Sequence, residues 1–340
     1  MALKAGSIRF NTDSSLMEIW DGNQWTGILA TSPFQETGGT RGLFHGFFND
    51  SATNRTVDYV QITSTGNAID FGDMNSNAQF YGGATSSRTR SYYVGGQNMG
   101  GSNSNQIQFF TIASTGDGTD YGDLAGSVTY SNSGASNGTR GLSAGGGFTG
   151  GANSNIIEYF PLQTSGSGKD FGDLTAAQFS GPGVACSKTR SIFTSNASGN
   201  AGDYKYMDYV QTATLGNAAD FGDQSQGFGH HAQGIASNAV RGVLVSSYFH
   251  PAKVNTVEYV TIATTGNSLD FGDLTQVRMM SGAAASSTRL VVSNGRTDGP
   301  GYVNTIDYAQ IMTTGNFVDF GDSTVGSDMR PGASNGHGGL

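Results

Sequence analysis

Residues 280–322 show the hydrophobic pattern most clearly. A small apolar run, Ser281–Ser286, is followed after a two-residue turn by Arg289–Ser293. A variable loop then leads to Asn304–Ile311, and Thr314-Gly315-Asn316 turns the chain into Phe317–Asp322. Short runs bounded by Gly, Asn and Ser predict four strands, here called A, B, C and D. The same pattern recurs along the chain, marked by the tetrapeptide Asp-(Phe/Tyr)-Gly-Asp, which ends at Asp73, Asp123, Asp173, Asp223, Asp273 and Asp322. A catalytic site occurs once in a chain, so a motif recurring six times in register belongs to the scaffold. Four-stranded repeats of this length predict the blades of a β-propeller.

Each strand slot has its own composition. Strand A is built of small residues, as in Gly82–Ser86, Ser133–Ser136 and Gly183–Cys186, which suits the crowded inner position next to a propeller axis. Strand C, as in Val57–Ile62, carries apolar residues on both faces, and its aromatic is expected to fill the wedge between blades. Gly66, Gly116, Gly166, Gly216, Gly266 and Gly315 predict tight C–D hairpin turns at positive φ. Arginine opens strand B at Arg41, Arg90, Arg140, Arg190, Arg241 and Arg289, giving six B strands, yet only five are preceded by a small-residue run. The missing copy is Pro331–Gly336, which matches Gly134–Gly138. The reading is an all-β, six-bladed propeller over residues 34–340, closed by a C-terminal strand A laid beside Arg41, which removes an open sheet edge.

Residues 1–33 stand outside the repeat. Gly6–Thr12 alternates, and Leu16–Trp25 reads as two further strands around an Asp-Gly turn, predicting a β-meander that holds both tryptophans, Trp20 and Trp25. So small a sheet needs a partner surface, either the propeller's side or another molecule. The 340 residues include 53 Gly, 14 Tyr and 20 Phe, a composition that is neither disordered nor collagen-like. A net charge of −9 argues against nucleic-acid binding. The single cysteine, Cys186, excludes an internal disulfide framework and is expected to be a buried, inert thiol. No apolar run is long enough to span a bilayer, so no membrane insertion is expected, and the first residues lack the apolar core of a cleaved leader.

Catalytic and metal chemistry is mostly set aside. The Asp-Phe-Gly triplets come without the nucleotide loops of a kinase. Their aspartates suit turn acceptors or partners for the strand-B arginines. Calcium ligation by Asp117, Asp120 and Asp123 conflicts with strand alternation. His230 and His231 alternate too and, even with His250, read first as loop polar groups. No cofactor and no metal are expected.

Two faces follow from strand order. A–B and C–D turns share one end of each blade and are nearly uniform; B–C and D–A loops share the other and vary. The variable face carries Phe80, Tyr81, Tyr130, Phe179, Tyr204, Tyr206, Phe228, His230, His231 and Tyr302, which become the ligand-binding candidates. The same aromatics would also serve as caps over the blade interfaces.

The four-strand unit, with Arg opening strand B and an aromatic in strand C, resembles the Kelch-type propeller repeat. Its double glycine appears only at Gly95-Gly96 and Gly145-Gly146, and Asp-Phe-Gly-Asp stands where Kelch repeats usually carry tryptophan. The fifty-residue Thr-Gly-Asn…Asp-Phe-Gly-Asp array is similar to those of structural proteins of tailed bacteriophages, marine and cyanobacterial ones in particular. The N-terminal pattern, Gly-x-Ile-Arg-Phe-Asn-Thr followed by Asp-Gly-x-x-Trp, resembles a short module of phage tail-fibre and virion-associated proteins. These resemblances imply a non-enzymatic protein of the phage particle, in fibre, tail, neck or capsid decoration. Attachment or homo-oligomerisation would run through the meander, with Trp20 and Trp25 as its anchors. Other virion proteins and host surface polysaccharide are the implied partners. The alternative class is a propeller enzyme, a glycosidase or a copper-radical oxidase.

Overall fold

The computed structural model describes residues 4–12, 16–27, 40–49, 55–75, 80–98, 102–125, 129–130, 133–148, 153–178, 182–195, 205–225, 234–245, 253–299 and 301–340. The chain divides into two compact units, Met1–Gly38 and Gly39–Leu340. Among the described residues every regular element is a strand.

In the first unit, strands Ile8–Asn11, Leu16–Trp20 and Trp25–Gly27 form an antiparallel meander. Asp21 Oδ1 accepts from the amides of Asn23 and Gln24, fixing the turn before the last strand. Cross-strand pairing places Arg9, Glu18, Trp20 and Trp25 on one face and Ile8, Phe10, Met17 and Ile19 on the other.

The second unit is a β-propeller-like array of antiparallel sheets, six of them four-stranded among the described residues. The second sheet shows the order: Gly83–Ser86, Arg90–Val94, Gln106–Thr111 and Thr119–Asp123 as strands A to D. The first sheet takes B, C and D from Arg41–Phe44, Thr56–Gln61 and Ile69–Asp73, and its strand A from Gly332–Ser334 at the other end of the chain. Gly332, Ala333 and Ser334 pair with Phe44, Leu43 and Gly42.

The repeated tetrapeptide is a β-bulge. Val57 pairs with Gly72 and Asp58 with Asp70, so Phe71 has no partner opposite it, and the irregularity recurs in all six D strands. The bulge turns Phe71 inward among Leu43, Val57, Tyr93, Phe110 and Ile112, residues of two adjacent sheets. Strand D therefore supplies a ring to the wedge, where it meets Phe110 from strand C of the second sheet. The strand-C aromatic Tyr59 is half-buried and packs edge-on against Phe71 at 5.8 Å.

The Thr-Gly-Asn segments are not the tight hairpin turns expected from sequence. Strand C of the first sheet ends at Gln61 and strand D begins at Ile69, leaving a longer connection that reaches across to the neighbouring sheet. In the second sheet the Gly116 and Gly118 amides donate to the Phe71 and Asp73 carbonyls at 2.8 and 2.7 Å, and Asp117 Oδ1 accepts from the Asp73 amide at 3.0 Å. Gly72 (φ 145°) permits this approach, because a Cβ there would stand 2.5 Å from the Gly116 carbonyl oxygen. The free edge of strand D is thereby covered, which is how exposed edges are kept from pairing with other chains. The same clasp joins the sixth sheet to the first: the Gly66 and Ala68 amides donate to Phe320 and Asp322, and Asn67 Oδ1 accepts from Asp322.

The strand-B arginines do not pair with the motif aspartates. Each lies over the strand-C aromatic of its own sheet, as Arg241 does over Tyr259 at 4.1 Å and Arg190 over Tyr209 at 4.4 Å. Five also donate Nη1 to a carbonyl of the next sheet: Arg41 to Ile112, Arg140 to Thr212, Arg190 to Ile262, Arg241 to Ile311 and Arg289 to Ile62. A third link is polar and buried. Strand C carries Asp58, Gln108, Glu158, Asp208, Glu258 and Asp307 at one register position. Each accepts from the amide two residues past the previous sheet's tetrapeptide, as Asp208 does from Thr175 at 2.9 Å and Asp58 from Thr324 at 3.1 Å. Two of these carboxylates are also ion-paired with fully buried arginines, Asp58 with Arg330 at 2.7 Å and Asp307 with Arg278 at 3.1 Å.

Candidate functional site

The variable face is built where the D–A and B–C connections of the sixth, first and second sheets meet. Three residues before or at the start of strand A, Tyr81, Met280 and Met329, adopt positive φ of 63°, 59° and 54°. Non-glycine residues in this region are held there by their surroundings, and such strain concentrates at functional positions. Here the surroundings are one another: Phe80, Met280 and Met329 are buried together, with Phe48, Tyr81 and Met279 packed against them. Four rings follow in series across three sheets. Tyr302 lies 6.2 Å from Phe48, Phe48 lies 5.1 Å from Phe80, and Phe80 lies 4.8 Å from Tyr81. Arg296 covers the outer side of Tyr302 at 5.4 Å, and the Lys253–Asp298 ion pair at 2.7 Å braces the hairpin that carries it.

Of the sequence candidates, Phe80, Tyr81 and Tyr302 thus come together. Phe80 lies at the base of the cluster, while Tyr81 and Tyr302 are half-buried at its ends. Tyr206 stands apart at the start of a fourth-sheet C strand, where its hydroxyl accepts from Gln178 Nε2 at 2.8 Å. The backbone of Tyr130 pairs with Gly147. Phe179, Tyr204, Phe228, His230 and His231 lie outside the described residues. Phe48 and Met329 were missed from sequence; each is a bulky apolar residue in a connection between strands.

In the meander, Trp20 and Trp25 pack with centroids 5.5 Å apart and their planes tilted by 59°, Arg9 sits 4.3 Å over Trp25, and Glu18 closes the face by pairing with Arg9 at 2.8 Å. Hydrogen bonds from Asn11 and Arg9 hold the Glu18 carboxyl below its usual range. Both tryptophans are therefore engaged within the sheet. Its more exposed apolar side chains are Ile8, Phe10 and Met17 on the opposite face.

A narrow channel runs between the inner strands. Its walls include small residues read from sequence, such as Ala84, Gly134 and Gly332, together with Val184 and Ile235, with Pro182 and Pro331 at one end. A necklace of hydroxyls links the strands: Ser86 Oγ donates to the Ser334 carbonyl at 2.6 Å, Ser136 Oγ to Ser86 at 2.7 Å and Ser237 Oγ to Cys186 at 2.8 Å. At the other end the last residues fold inward. The Gly338 amide donates to Ser237, and His337 Nε2 lies 3.3 Å from the Ser86 carbonyl and 3.2 Å from Ser136 Oγ. Glycine is needed there, since a Cβ on Gly338 or Gly339 would collide with the carbonyls of Asn238 and Ser136. The cavity beneath this plug measures about 50 Å³, enough for a few water molecules and too small for a sugar ring.

Cys186 lies on this channel wall, 3.5 Å from His337 Nδ1, so the thiol expected to be inert has a basic neighbour. Burial pushes the thiol up, and the charge and hydrogen bond of His337 more than offset it, leaving Cys186 below its ordinary value. Its side-chain partners are His337 and Ser237, not the tyrosine that a copper-radical oxidase requires. Among the described residues no group of three or more His, Cys, Asp or Glu is placed to hold a metal ion, and no helix is long and apolar enough to cross a membrane. No protein-family model matches the chain, and no curated protein matches it.

Proposed function

We propose that this chain is a non-enzymatic binding scaffold of a tailed-phage particle: a six-bladed propeller, closed by its C-terminal strand, that presents one variable face to a ligand and docks through its N-terminal meander. The closed ring is supported by inner strands that neighbour one another in cyclic order, and by a sixth-to-first junction using the same clasp and arginine bonds as the others. The observation that carries the functional reading is where the recurrent chemistry goes. The arginines, the tetrapeptide aspartates and the strand-C carboxylates all hold one sheet to the next, so recognition falls to the residues that do not recur. Those gather around Tyr81 and Tyr302, rings on a rigid base with polar edges, the chemistry that stacks on a host-surface glycan or seats another virion protein. The phage setting rests on the likeness of the repeat and of the meander to virion proteins.

The test is a glycan array with the purified protein, read beside a density map of the assembled particle. Glycan binding that falls at least about tenfold in a Tyr81→Ser/Tyr302→Ser double variant supports adhesion, since one stacked aromatic contributes roughly 0.5–1.5 kcal/mol beyond its buried area. A particle map with this face buried against another virion protein supports the joint. Neither glycan binding nor particle association, or binding indifferent to both tyrosines, overturns the reading.

A further inference from the structure

We propose that Pro331–Leu340 form an acid-released latch on the first sheet, with His45 as its proton sensor. The argument begins with placement. Gly332–Ser334 supplies strand A of the first sheet, and no turn joins it to Arg41–Phe44. Just past that strand B, the His45 amide donates to the Pro331 carbonyl at 3.0 Å, and ring Nδ1 lies 3.2 Å from the same oxygen. Four residues after the strand-B arginine the other sheets carry Val94, Ala144, Thr194, Val245 and Ser293. A histidine therefore stands only where strand A is not tied to strand B by a turn. The equivalent backbone bonds, Thr194 to Gly183 and Val245 to Gly234, have no such side chain beside them.

What faces the ring decides the sign of the effect. Nδ1–H donates to Pro331, Nε2 accepts from Ser91 Oγ, and Phe110 and Tyr93 lie on its flanks. Tyr93 stays neutral, since burial pushes its phenol up, and its hydroxyl accepts from the Gly82 amide. The charge that acts on the ring is the Arg330 guanidinium, whose partner Asp58 is already engaged by Arg330 and Thr324. A second proton on His45 would thus be buried beside a like charge, with no carboxylate of its own. Lifting Pro331–Leu340 uncovers the ring and lets that charge reach water, while the buried Arg330–Asp58 pair anchors the chain just ahead of the segment. Burial and Arg330 lower His45 from 6.5 to about 4 in the closed form, so the latch is at full strength above 6.5 and weakens as pH falls through that window. Between pH 7.5 and 5 the open fraction should rise about thirtyfold. Release bares the edge of Arg41–Phe44 and withdraws His337 and Gly338 from the channel.

The experiment is amide hydrogen exchange of the full chain at pH 7.5 and 5, each rate divided by its intrinsic value at that pH. Protection of the His45 amide should fall about thirtyfold, while that of Val245, its counterpart in the fifth sheet, holds. Cys186, against which His337 lies, gives a second readout: at pH 5 it should react faster with dithiodipyridine in the unmodified protein than in His45→Gln. His45→Gln, or His45→Val after the fifth sheet, should remove the acid response of the seam. Equal loss of protection at His45 and Val245 means that acid loosens the whole unit, and it overturns the latch. So does a His45 amide indifferent to pH, a response that persists in both variants, or Cys186 reactivity that is the same in the two proteins at pH 5.

Discussion

Acid should weaken this protein through His45, and the size of the effect follows from where that ring sits. His45 is fully buried between the first and second sheets. Its Nδ1 lies 3.2 Å from the Pro331 carbonyl and its Nε2 2.9 Å from Ser91 Oγ, so a neutral ring donates to one and accepts from the other. Phe110 and Tyr93 flank it at 5.2 and 6.1 Å, and the Arg330 guanidinium, paired with Asp58, is the nearby charge. Burial first, and then the Arg330 charge, push its pKa from 6.5 down to about 4, against a raising effect of the Pro331 bond. The unfolded chain therefore binds a proton between those two values while the native protein does not. Stability is full above 6.5, declines as pH falls below it, and levels off below about 4. At about 1.36 kcal/mol for each tenfold in proton affinity, that span amounts to about 3 kcal/mol. The assay is urea denaturation of the unmodified protein and of His45→Gln at a series of pH values from 7.5 down to 4. Glutamine keeps a donor and an acceptor and does not titrate, so the difference between the two proteins isolates the ring from every carboxylate titrating alongside it. The unmodified protein should lose the larger share of its stability across this range. Parallel pH profiles would refute the argument, because they would mean that His45 is hydrated or already charged in the native state.

Two further outcomes test the packing. Gln224 is buried and neither of its amide atoms has a hydrogen-bond partner among the described residues, whereas Leu124, Leu174 and Leu274 occupy the matching position in other sheets. Gln224→Leu should stabilise the protein by about 1–3 kcal/mol, seen as a higher urea midpoint at unchanged slope. Gly222→Ala should do the opposite: φ is 137° and a Cβ would stand 2.5 Å from the Gly266 carbonyl oxygen. A loss of about 3 kcal/mol or more is expected, with faster hydrogen exchange of the Gly266 and Ser268 amides that this junction holds.

Strand positions were legible in the sequence because they depend on local pattern. The apolar runs, the small-residue inner strand and the Pro331–Gly336 match needed nothing from elsewhere in the chain, and Gly332–Ser334 does lie against Arg41–Phe44. What could not be read was the chemistry between sheets. Arg41 meets Ile112 and Arg140 meets Thr212, partners about a repeat and a half along the chain, and nothing next to an arginine announces a carbonyl at that distance. Charge alone suggested aspartate, and the aromatic beneath the guanidinium took that place instead. One clue was available: an acidic or amide residue stands immediately before the aromatic in every C strand, and such a residue in so apolar a strand has to be hydrogen-bonded if it is buried. The tail offered a second, since glycines on both sides of His337 mark a backbone pressed against something. On the variable face the bulky residues ahead of strand A marked Phe80 and Tyr81, and Tyr302 stood out in its loop, but no local pattern showed that the three would meet, because their contacts run between sheets.

The seam at the first sheet shows how the fold accommodates a break in the chain. In the other sheets a short turn carries strand A into strand B; between Ser334 and Arg41 there is no such link. Asn335 Oδ1 accepts from the Arg41 amide at 2.9 Å, the bond that Asn137 makes to Arg140 and Asn238 to Arg241, so the turn's hydrogen bond persists without its covalent connection. Strand pairing alone would leave a three-residue strand held by little, and around it are gathered buried polar contacts: Arg330 on Asp58, which repeats the Arg278–Asp307 pair of the sixth sheet, together with His45 on Pro331 and His337 in the channel. Buried ion pairs add little net stability compared with apolar packing, yet removing one partner from such a pair costs about 3–5 kcal/mol. Placed beside a terminal strand, they penalise every register but one. The Arg278–Asp307 pair does the same for the covalently linked sixth sheet, so what the seam adds is His45, whose ring bonds the Pro331 carbonyl just ahead of the strand that the covalent chain does not hold in place.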